Sequence, residues 1–291
     1  MSDRAVMKAW IALLLSLVAV VALSRPPELK AAGETAPPLL PRPEVMQVLG
    51  AFDRPLFADY FWLMTIQQIG LAQKAGEYRA VADYARLAVA LDPDFREVYR
   101  VAGLSIPFNL GREKWVNTEE STAILAEGVA RFPDDPRLGI PYAYNLSFFH
   151  RQYERAGELL GRLAKRPGAP RYLGQLSARL YAMVGRFDDG LELTRSLAAE
   201  ASDPESRALF EDRAREIEQE RLLREVEVAC NRFTSRSGGA PSALLELVAA
   251  GDVPGLPMDP LGGDISLEDE CKARSSSRSR RLKVFLPHVD D

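Results

Sequence analysis

Arg151-Gln152-Tyr153-Glu154-Arg155-Ala156 and Gly185-Arg186-Phe187-Asp188-Asp189-Gly190 decide the reading of this chain. In each, a small or polar residue precedes an aromatic, with helix formers on both sides. Tyr153 to Phe187 is a step of 34 residues (153 to 187), the period that a helix–turn–helix repeat leaves in a sequence. One such unit cannot bury its apolar face alone. Units therefore stack, and the stack offers an extended surface rather than a closed pocket. The expected fold is mainly α, a helical-repeat solenoid.

Working outward, four helix pairs follow. Ala58 to Ala75 carries Tyr60, Phe61, Trp62, Leu63, Ile66 and Ile69, is broken by Gly76-Glu77-Tyr78, and pairs with Ala80 to Leu91. The second segment looks like the second helix of a tetratricopeptide repeat, whose Ala-x-x-Leu-Asp-Pro ending is matched by Ala88, Leu91, Asp92 and Pro93. Small Ala88 allows close helix approach, and Pro93 cannot continue a helix. Phe95 to Leu104 and a helix capped by Thr118 or Ser121 form the second pair, ending at Pro133; Pro93 to Pro133 is 40, so about six extra residues form a loop between Pro107 and Asn117. Leu138 to Phe149 with Glu154 to Ala164, then Tyr172 to Val184 with Asp188 to Ala199, complete the series. In the last pair Ala178, Tyr181, Gly185 and Phe187 fit the repeat pattern. Asp203-Pro204-Glu205 caps a long charged helix to about Asn231. Its Leu209, Ile217, Leu222, Leu223, Val226 and Val228 are expected to close the stack.

After Gly238-Gly239 the texture changes. A short helix from Pro241 stops at Gly251, a Pro/Gly-rich turn follows, and two strand-like runs, Asp264 to Leu267 and Arg281 to Leu286, predict a small hairpin across a Ser/Arg-rich connection. This tail is similar to the region after the long helix in type II secretion pseudopilins. Pro241, Leu244, Leu247, Leu256, Pro257, Asp259, Pro260 and Gly262 carry the likeness, and Asp264 departs from it where an aromatic is usual. From about residue 50 the chain resembles a family of exported bacterial tetratricopeptide-repeat proteins carrying such a tail. Phe57-Ala58-Asp59-Tyr60-Phe61-Trp62-Leu63, Leu91-Asp92-Pro93-Asp94-Phe95 and Arg166-Pro167-Gly168-Ala169-Pro170 carry that resemblance. It implies an envelope-facing scaffold and no reaction.

The N-terminus carries an apolar run, Ala9 to Ser24, behind Arg4 and Lys8 and closed by Arg25-Pro26-Pro27. A basic start before a short apolar core is an export signal. It is either an uncleaved anchor, the favoured reading, or a cleaved signal with Ala22-Leu23-Ser24 at the cut. Cations before the run set the body on the periplasmic side, so the expected location is the inner membrane with a periplasmic body. The organisation reads as a signal segment (1–27), a Pro-rich linker (28–44), helical repeats with a closing helix (45–232) and a pseudopilin-like helix–turn–hairpin tail (233–291).

With 47% hydrophobic residues over 291, the chain has a large core to bury. A net charge of −4 and a pI of about 5.5 argue against a nucleic-acid partner. Two histidines, His150 and His288, leave little for a zinc site or a His-based triad. No catalytic, metal or cofactor site is expected. The acidic run Asp264, Glu268, Asp269 and Glu270 reads as a solvated turn, with a calcium site as the lesser alternative because hard cations need several oxygens from one loop. The basic run Arg274, Arg278, Arg280, Arg281 and Lys283 reads as an exposed loop, or as a contact for anionic lipid or a cell-wall polymer.

First helices of stacked pairs line the concave face, which suits peptide or helix partners. Tyr60, Trp62, Gln67, Tyr99, Tyr144, Asn145, Gln175 and Arg179 are the groove candidates, among a wider aromatic set that includes Tyr142, Phe148, Phe149 and Tyr172. His150 reads as a helix-end residue. Cys230 and Cys271 are candidates for a disulfide in an oxidising compartment. The favoured function is a membrane-tethered scaffold for protein partners, in a secretion or pilus-type assembly. The alternatives are a cell-wall-binding accessory and an envelope hydrolase, the latter without a supporting motif.

Overall fold

The computed structural model describes residues 40–49, 52–112, 114–278 and 281–284. The signal segment and most of the Pro-rich linker lie outside the described residues. No described helix is long and apolar enough to cross a membrane.

The described chain is mainly helical, with eleven α-helices. They are α1 (Pro43–Leu49), α2 (Arg54–Leu71), α3 (Ala75–Leu91), α4 (Arg96–Ser105), α5 (Thr118–Arg131), α6 (Pro136–Tyr144), α7 (Tyr153–Ala164), α8 (Arg171–Met183), α9 (Phe187–Glu200), α10 (Pro204–Ser237) and α11 (Leu244–Ala249). Each of α2 to α10 packs on its neighbours in the chain, and α1 folds onto α3 through buried Met46.

The first helix boundary differs from the sequence reading. Asp53 accepts the Leu56 N–H at 3.3 Å and starts α2 early, and α2 ends at Leu71. Gly76 lies inside α3 rather than in a break. The Glu77 carboxylate takes the N–H groups of Gln73 and Lys74 at 2.7 and 3.1 Å, so the turn falls at residues 72–74.

Two devices recur along the helical chain. The aspartate after a junction proline pairs with the arginine nearest the end of the next second helix: Asp94 with Arg131 at 2.7 Å, and Asp134 with Arg166. The other is a large-into-small contact between successive helices, present in α4–α5, α6–α7 and α8–α9 but not between α2 and α3, whose Gly70 and Gly76 meet nothing within 4 Å. A Cβ on Gly139 would lie 2.5 Å from Leu163, one on Gly174 2.3 Å from Leu197, and one on Gly128 2.8 Å from Tyr99. In the last case the sizes are exchanged: the first helix supplies the large residue and the second helix the glycine. The space is filled either way, as close packing demands.

The insertion before α5 is a hairpin rather than a plain loop. Strands β1 (Phe108–Asn109) and β2 (Trp115–Val116) pair antiparallel. Asn109 Oδ1 takes the Gly111 N–H at 2.7 Å, and Gly111 has φ +94, a conformation that favours glycine.

Helix α10 spans 34 residues to a left-handed Gly238. It closes the α8–α9 core with Phe210, Ala214 and Ile217, then carries a separate apolar core of its own. Leu223 and Val226 are buried there, but Val228 is exposed, so it does not belong to the closing face.

The tail hairpin pairs β3 (Ile265–Glu268) with β4 (Lys272–Ser275), Ile265 opposite Ser275. The expected second strand at 281–286 is therefore corrected. Glu270 and Cys271, both with positive φ, reverse the chain within three residues. A disulfide joins Cys271 to Cys230 on α10, with a Cα–Cα separation of 5.6 Å. Residues 281–284 are irregular, and 285–286 lie outside the described residues.

Candidate functional site

The tail residues with the most chemistry are consumed in holding the tail. Glu220 is 2% exposed on α10. Arg281 clamps it with bonds of 3.0 and 2.8 Å, and also reaches Glu227 and the Ala273 carbonyl. Burial disfavours the guanidinium's charge, but these carboxylates outweigh it and raise the Arg281 pKa. Arg278 pairs with Glu216, and Arg274 with Glu268 at 2.8 Å. The basic run is thus largely bound to the protein itself rather than displayed as a loop. Of the acidic run, Glu268 goes to Arg274 and Glu270 to Lys272; among the described residues no group of three or more possible ligands converges.

Asp259, in the Pro-Met-Asp-Pro turn, is the hub of the tail. It accepts from Gln219 Nε2 at 2.8 and 2.9 Å, from the Ser275 and Ser277 hydroxyls, and from the Leu261 and Gly263 amides. Burial alone would raise its pKa; the hydrogen bonds from Ser275, Leu261, Ser277 and Gln219 overcome that and hold it at about 2.

A cluster of aromatics, two of them exposed, lies elsewhere. Helix α6 contains Pro141, then widens into a π turn, Asn145–Phe149, where the His150 N–H reaches back five residues to the Asn145 carbonyl at 3.2 Å. Such turns insert one extra residue and often mark functional sites. Within this turn the Phe148 and Phe149 rings lie edge to face with centroids 5.2 Å apart. Tyr144 stacks on Phe148 with centroids 5.0 Å apart, and Trp115 of β2 packs edge-on to Phe148 and lies 5.4 Å from Phe149. Tyr144 and Phe148 are 52% and 51% exposed. Leu104 of α4 is also exposed and stands eleven residues after Pro93 (93 to 104), as Tyr144 stands after Pro133 (133 to 144). The ledge is built from a first helix and the inserted hairpin.

A buried polar chain supports it. Asn145 donates to the Ser121 and Thr122 hydroxyls at 2.7 and 3.1 Å, and Ser121 donates to the Gly103 carbonyl at 2.5 Å. Thr122 donates to the Thr118 carbonyl and meets His150 Nε2 at 2.8 Å. That hydroxyl's proton is already used, so His150 donates to it. Asn145 is therefore a buried brace, not a groove residue, because a buried amide needs partners and finds them on α5. His150 ties the end of the π turn to α5.

Other candidates divide. Tyr99 is 4% exposed. Its ring fills the space over Gly128 and its hydroxyl donates to the Pro93 carbonyl, so it too belongs to the core. Trp62 is half-buried against Phe95 at 5.6 Å, and Tyr142 is half-buried against the core. Tyr60 and Gln67 are exposed on one face of α2, while Gln175 and Arg179 share a face of α8 with Arg179 exposed. Tyr172 is exposed at the start of α8. Trp115 was not a sequence candidate. Phe108-Asn109 and Trp115-Val116 on either side of a five-residue, Gly111-containing stretch (110–114) are the hairpin signal that points to it.

No family model, curated protein or solved structure matches the chain.

Proposed function

We propose that this protein is a scaffold that binds protein partners through the first-helix side of a tetratricopeptide-like solenoid, with the Tyr144–Phe148–Phe149–Trp115 ledge as the principal contact. The observation that carries the reading is the pair of half-exposed stacked rings, Tyr144 on Phe148, beside the buried Asn145–Ser121–Thr122 hydrogen bonds. Rigid aromatics offer large contact area at small entropic cost, and such residues dominate interface energetics. The repeated junction ion pairs and large-into-small contacts support the solenoid assignment. The basic start and apolar run support tethering in an inner membrane with a periplasmic body, and the pseudopilin-like tail points to a secretion or pilus-type assembly. The cell-wall reading loses its main support, because Arg274, Arg278 and Arg281 are already paired.

The test has two arms. A periplasm-active reporter fused after Asp291 gives activity, and deleting residues 10–23 abolishes it; activity that survives refutes the export reading. Full-length protein and a Tyr144→Ala/Phe148→Ser variant are then used as baits in membrane extracts. The expected result is a saturable partner lost from the variant while its thermal melt is unchanged. Identical recovery by both baits overturns the ledge as the contact.

A further inference from the structure

Helix α2 is apolar over most of its circumference, yet it is not enclosed. Ala58, Phe61 and Thr65 are buried against the body, while Leu56, Tyr60 and Leu63 on the opposite side are 61, 54 and 66% exposed. The exposed residues follow a 4-3-4-3 spacing: Leu56, Tyr60, Leu63, Gln67, Gly70. That is the spacing of a seam that packs against another helix. Ile66 and Leu71 flank it and are also exposed. A surface helix of this composition ordinarily has its apolar side covered.

We propose that a second copy of this chain covers it, α2 against α2, in an antiparallel two-fold contact centred near Leu63. Three features select that occupant. The stripe holds a single charge, Asp59, so a partner of strong charge has nothing to meet, while an identical stripe is matched in polarity. The antiparallel direction brings Asp59 beside Gln67 of the other copy, an acceptor beside an amide donor; a parallel pairing sets Asp59 against Asp59, which repels. It also lays Leu56 onto the Gly70 end, where a Cβ meets nothing within 4 Å and the surface is open. At the exposures quoted, the stripe presents on the order of 600 Å2 per copy, which places the pair at the lower end of specific interfaces. A two-fold contact of one patch with itself closes at the dimer. The face is separate from the aromatic ledge, which stays available to other proteins.

Cysteine cross-linking in membranes holding the full chain tests this. Cys230 and Cys271 are bonded to each other, so an introduced cysteine supplies the one free thiol. Leu63→Cys is expected to give a covalent dimer under mild oxidation, several-fold above an exposed control, Arg207→Cys. Mixing Leu56→Cys with Gly70→Cys chains is expected to give a hetero-linked dimer, while Leu56→Cys alone does not. Adding Leu56→Glu to Leu63→Cys buries an unpaired charge in the contact and is expected to remove the dimer. Far-ultraviolet melts check that each variant folds. A Leu63→Cys yield no higher than the Arg207→Cys control overturns the proposal. So does linkage that persists with Leu56→Glu, and efficient self-linkage of Leu56→Cys overturns the antiparallel direction.

Discussion

Replacing Gly174 by alanine should change sign with the residue at position 197. Gly174 lies within α8 in helical conformation, so alanine gains about 0.8–1 kcal/mol of helix propensity. The new Cβ falls 2.3 Å from Leu197 Cδ1 and 3.0 Å from Phe210 Cε1. Overpacking of that kind costs about 1–3 kcal/mol. The clash exceeds the propensity gain, and Gly174→Ala should destabilise by about 1 kcal/mol, roughly 2–4 °C in melting temperature for a body of this size. Leu197→Ala alone removes a buried side chain near the surface edge and should cost about 2 kcal/mol, the low end of its class. In that background the Leu197 clash is gone, only the tight 3.0 Å approach to Phe210 Cε1 stays, and the propensity gain remains. Gly174→Ala should then stabilise by a few tenths to about 1 kcal/mol, a coupling of about 1–2 kcal/mol between the two sites. Urea unfolding followed by circular dichroism at 222 nm measures all four proteins. Equal effects of Gly174→Ala in both backgrounds would refute the large-into-small contact as the determinant of packing between α8 and α9.

Three further outcomes follow from the tail. Replacing Cys230 and Cys271 by serine opens a loop of 41 residues and should cost about 4 kcal/mol on the chain-entropy account, with proteolysis beginning beyond residue 238. Arg281→Met leaves Glu220 buried with Arg224 as its remaining partner and should cost about 3 kcal/mol; adding Glu220→Gln should recover part of it, read by denaturant unfolding. Folding lowers the Asp259 carboxyl from 3.8 to about 2. Its contribution is therefore complete above about pH 4 and is lost as the pH falls through about 2. The stability difference between wild type and Asp259→Asn should shrink over that window and be flat above it.

Much of the helical framework was legible because its signals are local. Pro93 and Pro133 end helices wherever they fall, and Ala178, Tyr181, Gly185 and Phe187 mark a small–large packing order that the fourth pair uses. The ledge was only half legible. Asn145-Leu146-Ser147-Phe148-Phe149 reads the same in an α or a π turn, and only the tertiary bonds of Asn145 to α5 distinguish them. Helix phase alone puts Tyr99 and Asn145 in the groove; the packing over Gly128 and the bonds to α5 that draw each inward are tertiary and leave no local signal. The tail hairpin failed for a different reason. Val284-Phe285-Leu286 has stronger strand propensity than Lys272-Ala273-Arg274-Ser275, but β4 is fixed by long-range partners: the Cys230 disulfide beside it, and Glu227 accepting the Ala273 N–H at 3.1 Å.

A photoreactive phenylalanine analogue placed at Phe148 in the full-length protein, irradiated in intact cells, asks whether the ledge is where a partner protein sits. The account predicts a discrete protein adduct from Phe148 and from Leu104, absent from the exposed control Arg207 and suppressed by Tyr144→Ala. Adducts of equal yield from all three positions, or none from Phe148 while Arg207 reacts, contradict it.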